Sequence, residues 1–173
     1  MPDKHYLLEG YPKWLSETWQ QYLDIAMSYK KVIEYLLPYH AREEGIYSER
    51  DILPILYLIR HFFELVIKGM ILKNKNDRSK IVKIKENHNL SKLFDEWKKV
   101  DSDLKVDRDV ESFIRRLGDL DFKGDTFKYP YDMQENEFFQ NIQETIPEIT
   151  KLSSITILFS KSIYELNNFL RLE

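Results

Sequence analysis

With 173 residues the chain fits one domain and is long enough to bury a full core without covalent staples. Hydrophobic residues at 43% exclude a disordered chain, 5 Gly and 6 Pro are too few for an all-β protein of many tight turns, and the lack of Cys excludes disulfides, thiolate metal sites and a Cys nucleophile. The net charge of −3 is unevenly spread: residues 68–85 hold Lys68, Lys73, Lys75, Arg78, Lys80, Lys83 and Lys85 against Asp77 alone, so this stretch is +6 and the remainder −9.

Residues 1–13 read as an N-terminal arm punctuated by Gly10 and Pro12. No apolar run follows Met1-Pro2-Asp3-Lys4-His5, so no signal peptide is expected and the protein is expected in the cytoplasm. A first helix is predicted from Ser16 as N-cap, with Trp19, Leu23, Ala26, Val32, Ile33, Leu36 and Leu37 at roughly helical spacing and Pro38 as its stop. A loop holding Gly45 follows. Residues 51–72 form the most apolar helix, with hydrophobic residues almost all round, as expected of a helix buried by neighbours on several sides. Asp51 as N-cap would put Pro54 in the first turn, where its missing N–H costs little, whereas Ser48 as N-cap would make Pro54 a kink. Arg60, His61, Glu64 and Lys68 interrupt the run and argue against a membrane span.

Residues 73–87 read as a basic loop with some helical character. Asn89 or Ser91 caps a short helix carrying Leu90, Leu93, Phe94 and Trp97, and Asp107 caps another with Val110, Phe113, Ile114 and Leu117, ended by Gly118. Phe127, Tyr129 and Tyr131 alternate around Pro130 as an extended segment. The last helix, with Pro147 near its start, repeats Ile149, Leu152, Ile155, Phe159, Ile163, Leu166 and Leu170. These elements describe an all-α bundle in a single domain spanning 1–173.

Arg60, Glu64 and Lys68 follow one another at i, i+4 steps and make a polar stripe on an apolar cylinder. Such a stripe reads as an ion-pair ladder on a solvent-facing edge or, more sharply, as the lining of a ligand groove. His61 reads as a structural histidine. His88 stands just before a helix, where it can bond across to Glu64 or serve as an acid/base group. The basic residues Lys73, Lys75, Arg78, Lys80 and Lys83 are candidates for phosphate contacts or belong to a solvated loop, and Tyr129 belongs to an aromatic knot that packs over a bundle end or, as the second reading, stacks on bases. No histidine pair has metal-site spacing, and glycine-rich phosphate loops and a Gly-flanked nucleophile serine are absent, so no metal and no cofactor are expected.

Three pieces, in order, resemble the HEPN superfamily of prokaryotic helical domains. Leu58-Ile59-Arg60-His61-Phe62-Phe63-Glu64-Leu65-Val66-Ile67-Lys68 is similar to its "Arg…Glu-Leu…Leu-Lys" helix, His88-Asn89-Leu90-Ser91-Lys92-Leu93 to its "His-Asp-Leu…Leu" helix entry, and Phe127-Lys128-Tyr129-Pro130-Tyr131-Asp132 to its "Phe-Arg-Tyr-Pro" turn. The resemblance implies an up-and-down bundle, often a homodimer, in toxin–antitoxin, abortive-infection and other defence settings. It also implies metal-independent ribonuclease activity where an Arg on a late helix is followed by His after four to six residues. Arg115 and Arg116 lie on such a helix here, but no histidine follows His88, and no catalytic residue carries over.

The expected function is therefore a non-catalytic HEPN-like module. It would engage a partner protein, a nucleotide or RNA through the Arg60/Glu64/Lys68/His88 face and the basic loop. A ribonuclease using Arg60, His61 or His88 across a dimer interface, and a purely structural dimerisation domain, are the alternatives.

Overall fold

The structure is a computed structural model, and the residues it describes are 19–41, 49–74, 84, 86–121 and 159–164. Helices α1 (Trp19–Ala41), α2 (Glu49–Asn74), α3 (Leu90–Val100) and α4 (Arg108–Leu120) make an all-α bundle, with no strand among the described residues.

Helix α2 is the axis. It packs against α1, α3 and α4, and α3 packs against α4. The helical stretch 159–164 adds a further neighbour, for Phe159 meets Phe62 edge-on at 5.4 Å. Neighbours on several sides explain the apolar circumference: Leu56, Ile59, Phe62, Phe63, Val66, Ile67 and Ile71 point in different directions, yet all are buried. Burying a side chain of this size contributes about 1.5–3 kcal/mol, so α2 supplies much of the drive for collapse.

Two glycines set how closely the helices approach. A methyl group on Gly69 would sit 2.9 Å from Leu23 Cδ2 and 3.2 Å from the Trp19 carbonyl, so α1 rests directly on the α2 backbone there. On Gly118 it would meet Ser91 Oγ at 2.8 Å and Ser91 N at 2.9 Å, where α4 crosses the first turn of α3. Gly118 therefore does not end α4, contrary to the expectation from sequence. The helix runs on to Leu120 with Asp121 as C-cap, and the glycine serves the crossing.

Other boundaries differ for equally local reasons. Helix α1 continues past Pro38 to Ala41: the proline withdraws one intrahelical donor, and only three residues follow it before the helix ends. Helix α2 begins at Glu49, so Asp51 lies inside it and Pro54 falls beyond the first turn. Asn89, rather than Ser91, caps α3: its Oδ1 accepts from Lys92 N at 2.7 Å. The Asp107 cap on α4 is as expected, with Oδ1 accepting from Asp109 N at 2.8 Å. Val32, one of the apolar residues at roughly helical spacing in α1, is exposed on the face opposite the buried ones.

Candidate functional site

The Arg60–Glu64–Lys68 stripe of α2 does not face solvent. Arg60, Glu64 and Lys68 are 1%, 3% and 4% exposed, which overturns the expectation of a ladder on a wet edge. Their i, i+4 spacing does place them on one stripe, but α3, the segment before it, and the end of α4 close over that stripe.

Glu64 is the hub. Its Oε2 accepts from Arg60 Nη1, and its Oε1 accepts from Lys68 Nζ at 2.8 Å and lies 2.9 Å from His88 Nδ1. Arg60 uses three sides of its guanidinium. Nη1 goes to Glu64, Nη2 donates to the His88 carbonyl, and Nε lies 3.0 Å from Asp121 Oδ2, an ion-pair contact without hydrogen-bond alignment. Asp121 is itself fully buried. Two cations thus meet two carboxylates, and the network joins the middle of α2, the entry to α3 and the end of α4. Burial pushes the Glu64 carboxyl up, but Lys68 and Arg60 outweigh it and hold the group below its ordinary 4.5.

His88 is the one member that reaches water, with 54% of its side chain exposed. Its position is fixed at both ends: the ring by Glu64, the carbonyl by Arg60. Beyond it, Asn87 Oδ1 accepts from Asn89 N at 3.0 Å, so the turn into α3 is held by side chains on both sides of its cap. The expectation that His88 reaches across to Glu64 agrees with this geometry.

Neighbouring His61 points elsewhere, as a step of about 100° along a helix requires. It is half-buried beside α1, edge-on to Tyr29 at 4.9 Å and stacked on Tyr57 at 5.8 Å. Arg60 and His88 therefore meet, while His61 belongs to an aromatic contact on the α1 side. Lys73, at the end of α2, lies 5.2 Å from the Trp19 ring. Lys75, Arg78, Lys80, Lys83 and Tyr129 lie outside the described residues, as does the extended aromatic segment around Pro130.

Sequence reasoning missed Asp121. The signal was present: Val110, Ile114 and Leu117 are buried on one seam of α4, and the next position of that seam, one turn on, is an aspartate. A carboxylate continuing an apolar seam calls for a buried cation, and Arg60 is that cation. Among the described residues no group of three or more His, Asp or Glu side chains is placed to hold a metal ion, and no helix is long and apolar enough to cross a membrane.

No family model, curated protein or solved structure matches the chain. Its functional reading rests on these residues alone.

Proposed function

We propose that the chain is a non-catalytic, HEPN-like binding module of the cytoplasm, engaging RNA, a nucleotide or a partner protein in a prokaryotic defence or toxin–antitoxin setting. The observation that carries this reading is the closure of the buried network. Arg60, Glu64, Lys68 and Asp121 answer one another's charge inside the bundle, so none is left to act on a substrate. Removing one partner from such a set leaves an uncompensated buried charge, so its members are tied to one another inside the bundle.

Recognition then falls to groups outside this network. With Lys68 neutralised indoors, residues 73–85 still carry six cations against one anion, a net of +5 on an otherwise acidic chain. Such a segment supports contact with phosphates. The measurement is fluorescence anisotropy of a labelled single-stranded RNA at rising salt, comparing the protein with a variant in which Lys75, Arg78, Lys80 and Lys83 are Glu. Wild type binds with a log–log salt slope of about −0.7 per phosphate contacted, the variant does not, and the RNA remains intact. Equal binding by both proteins would remove the basic segment from the site.

One observation favours the ribonuclease reading in second place. His88 is half-exposed and bonded through Nδ1 to a buried carboxylate, an arrangement that orients an imidazole as a general base through Nε2. Cleavage of total RNA in the presence of a chelator, lost in His88→Ala, would replace the non-catalytic reading with this one.

A further inference from the structure

Where the start of α1 meets the end of α2, an indole stands beside the first residue of the basic segment. Gly69 is the reason. Because it lacks a side chain, the first turn of α1 lies directly on the α2 backbone, with Trp19 and Leu23 against the glycine. Lys73 stands one turn beyond Gly69 on the same side of α2. Its ammonium lies 5.2 Å from the centre of the Trp19 ring. Both side chains are partly exposed, as is Tyr22, which follows Trp19 on the same face of α1. Of the other two tryptophans, Trp97 is fully buried and Trp14 lies outside the described residues.

As a packing contact alone, Lys73 caps the indole: its stem covers apolar ring surface and its charge meets the π face. Its place in the chain asks more of it. Lys73 is the first of the six cations in residues 73–85, and Lys75 follows it by two residues. A single strand of nucleic acid is held by two kinds of group together, cations along its phosphates and flat aromatic faces for its unpaired bases. Both kinds meet at this helix end. The lysine ammonium is a point charge on a flexible four-carbon stem, so it can pass from the ring to a phosphate. A base stacked on an indole contributes more than one cation over a partly exposed ring, so the exchange of lysine for base runs downhill.

We propose that Trp19 is the stacking platform for an unpaired base of single-stranded RNA, and that Lys73 leaves the ring on binding to hold a neighbouring phosphate. The inference rests on the RNA reading above. It adds what a row of cations lacks, a seat for a base, and with it a preference for single strands over duplexes, whose bases are already stacked on one another. Stacking of this kind is tolerant of sequence, because every base has a π face.

The test is fluorescence anisotropy of the full chain with two labelled probes of equal length and charge, oligouridine and an abasic ribose–phosphate strand. Wild type binds oligouridine more tightly, by about fivefold to a hundredfold for one stacked base. Trp19→Ala loses that margin and binds both probes alike, whereas Trp19→Phe keeps part of it. Abasic binding at wild-type strength shows that each variant is folded; should Trp19→Ala fail that check, Trp19→Phe carries the test through its reduced margin. Lys73→Gln weakens both probes and lowers the log–log salt slope by about 0.7. Oligouridine also quenches the tryptophan fluorescence of wild type, and Trp19→Phe removes most of that quench while still binding. A wild type that binds neither probe overturns the RNA reading and this inference together. Equal binding of the two probes by wild type, or a margin that survives both substitutions of Trp19, overturns this inference and leaves the RNA reading standing.

Discussion

Replacing Glu64 by Gln tests the buried network at its hub. The substitution keeps the side chain's shape and removes one negative charge, leaving Arg60 and Lys68 against Asp121 alone. An amide also brings an NH₂ group against one of its two cationic partners, because Oε1 and Oε2 both accept from cations in the native protein. Removing one partner of a buried ion pair costs about 3–5 kcal/mol. For a chain of this length each kcal/mol lowers the melting temperature by about 2–4 °C, so a fall on the order of 10 °C is expected. Glu111→Gln is the control: it pairs with Lys98 and Arg115 at the half-exposed α3–α4 surface, where a loss below about 1 kcal/mol is expected. Thermal melts and urea titrations followed by circular dichroism measure both. The pH dependence adds a second reading. Because the Glu64 carboxyl is held below 4.5 in the folded protein, its contribution is fully present above that value and is lost as pH falls through the lower, folded value. The gap between wild type and Glu64→Gln should therefore be widest near neutrality and narrow in acid. A variant that melts within about 2 °C of wild type at neutral pH would refute the reasoning, since so small a shift corresponds to under about 1 kcal/mol.

Three further outcomes follow from the same geometry. Converting the whole network to apolar residues (Arg60→Met, Glu64→Leu, Lys68→Met, Asp121→Leu) should leave stability near or above wild type by urea titration, because the cost of desolvating four charges disappears along with their attraction. Gly118→Ala should lower stability by about 1–3 kcal/mol despite the better helix propensity of alanine, since the new methyl meets the Ser91 backbone; a stabilised variant would show that α3 and α4 separate freely. Asn89→Ala should cost about 1 kcal/mol and Asn89→Ser much less, measured the same way, because the cap needs an oxygen at that position for Lys92 N.

The helical class is legible because α2 is apolar almost all round and the seams of α3 and α4 are regular. The sequence also showed that Arg60, Glu64 and Lys68 share a face. It did not show what covers that face, since i, i+4 spacing is a property of one helix and burial is a property of its neighbours. The same distinction explains the other differences. Gly118 and Pro38 read as punctuation from their own conformational habits, whereas a backbone crossing uses the glycine and α1 runs on past the proline. Val32 shares the rough helical spacing of the apolar residues of α1 yet falls on the face opposite Leu23, Ala26, Ile33 and Leu37, which spacing alone does not separate. Asp121 stands at a helix end, where an acid is ordinarily solvated, and only its place on the Val110–Ile114–Leu117 seam marks it as buried.

The network also sets an order of events for the folding chain. Arg60 and Glu64 are four residues apart, so their pair can form as soon as α2 turns; Arg60 and the His88 carbonyl are separated by 28 residues, and Asp121 arrives from the far end of α4, farther still along the chain. Each longer separation closes a larger loop and pays more chain entropy before any contact is made. Asp121 should then join after the transition state, so that its loss speeds unfolding while scarcely slowing folding. On that account α2 carries its charges through early folding as a local, half-wet cluster, and the arrival of α4 is the step that dries it.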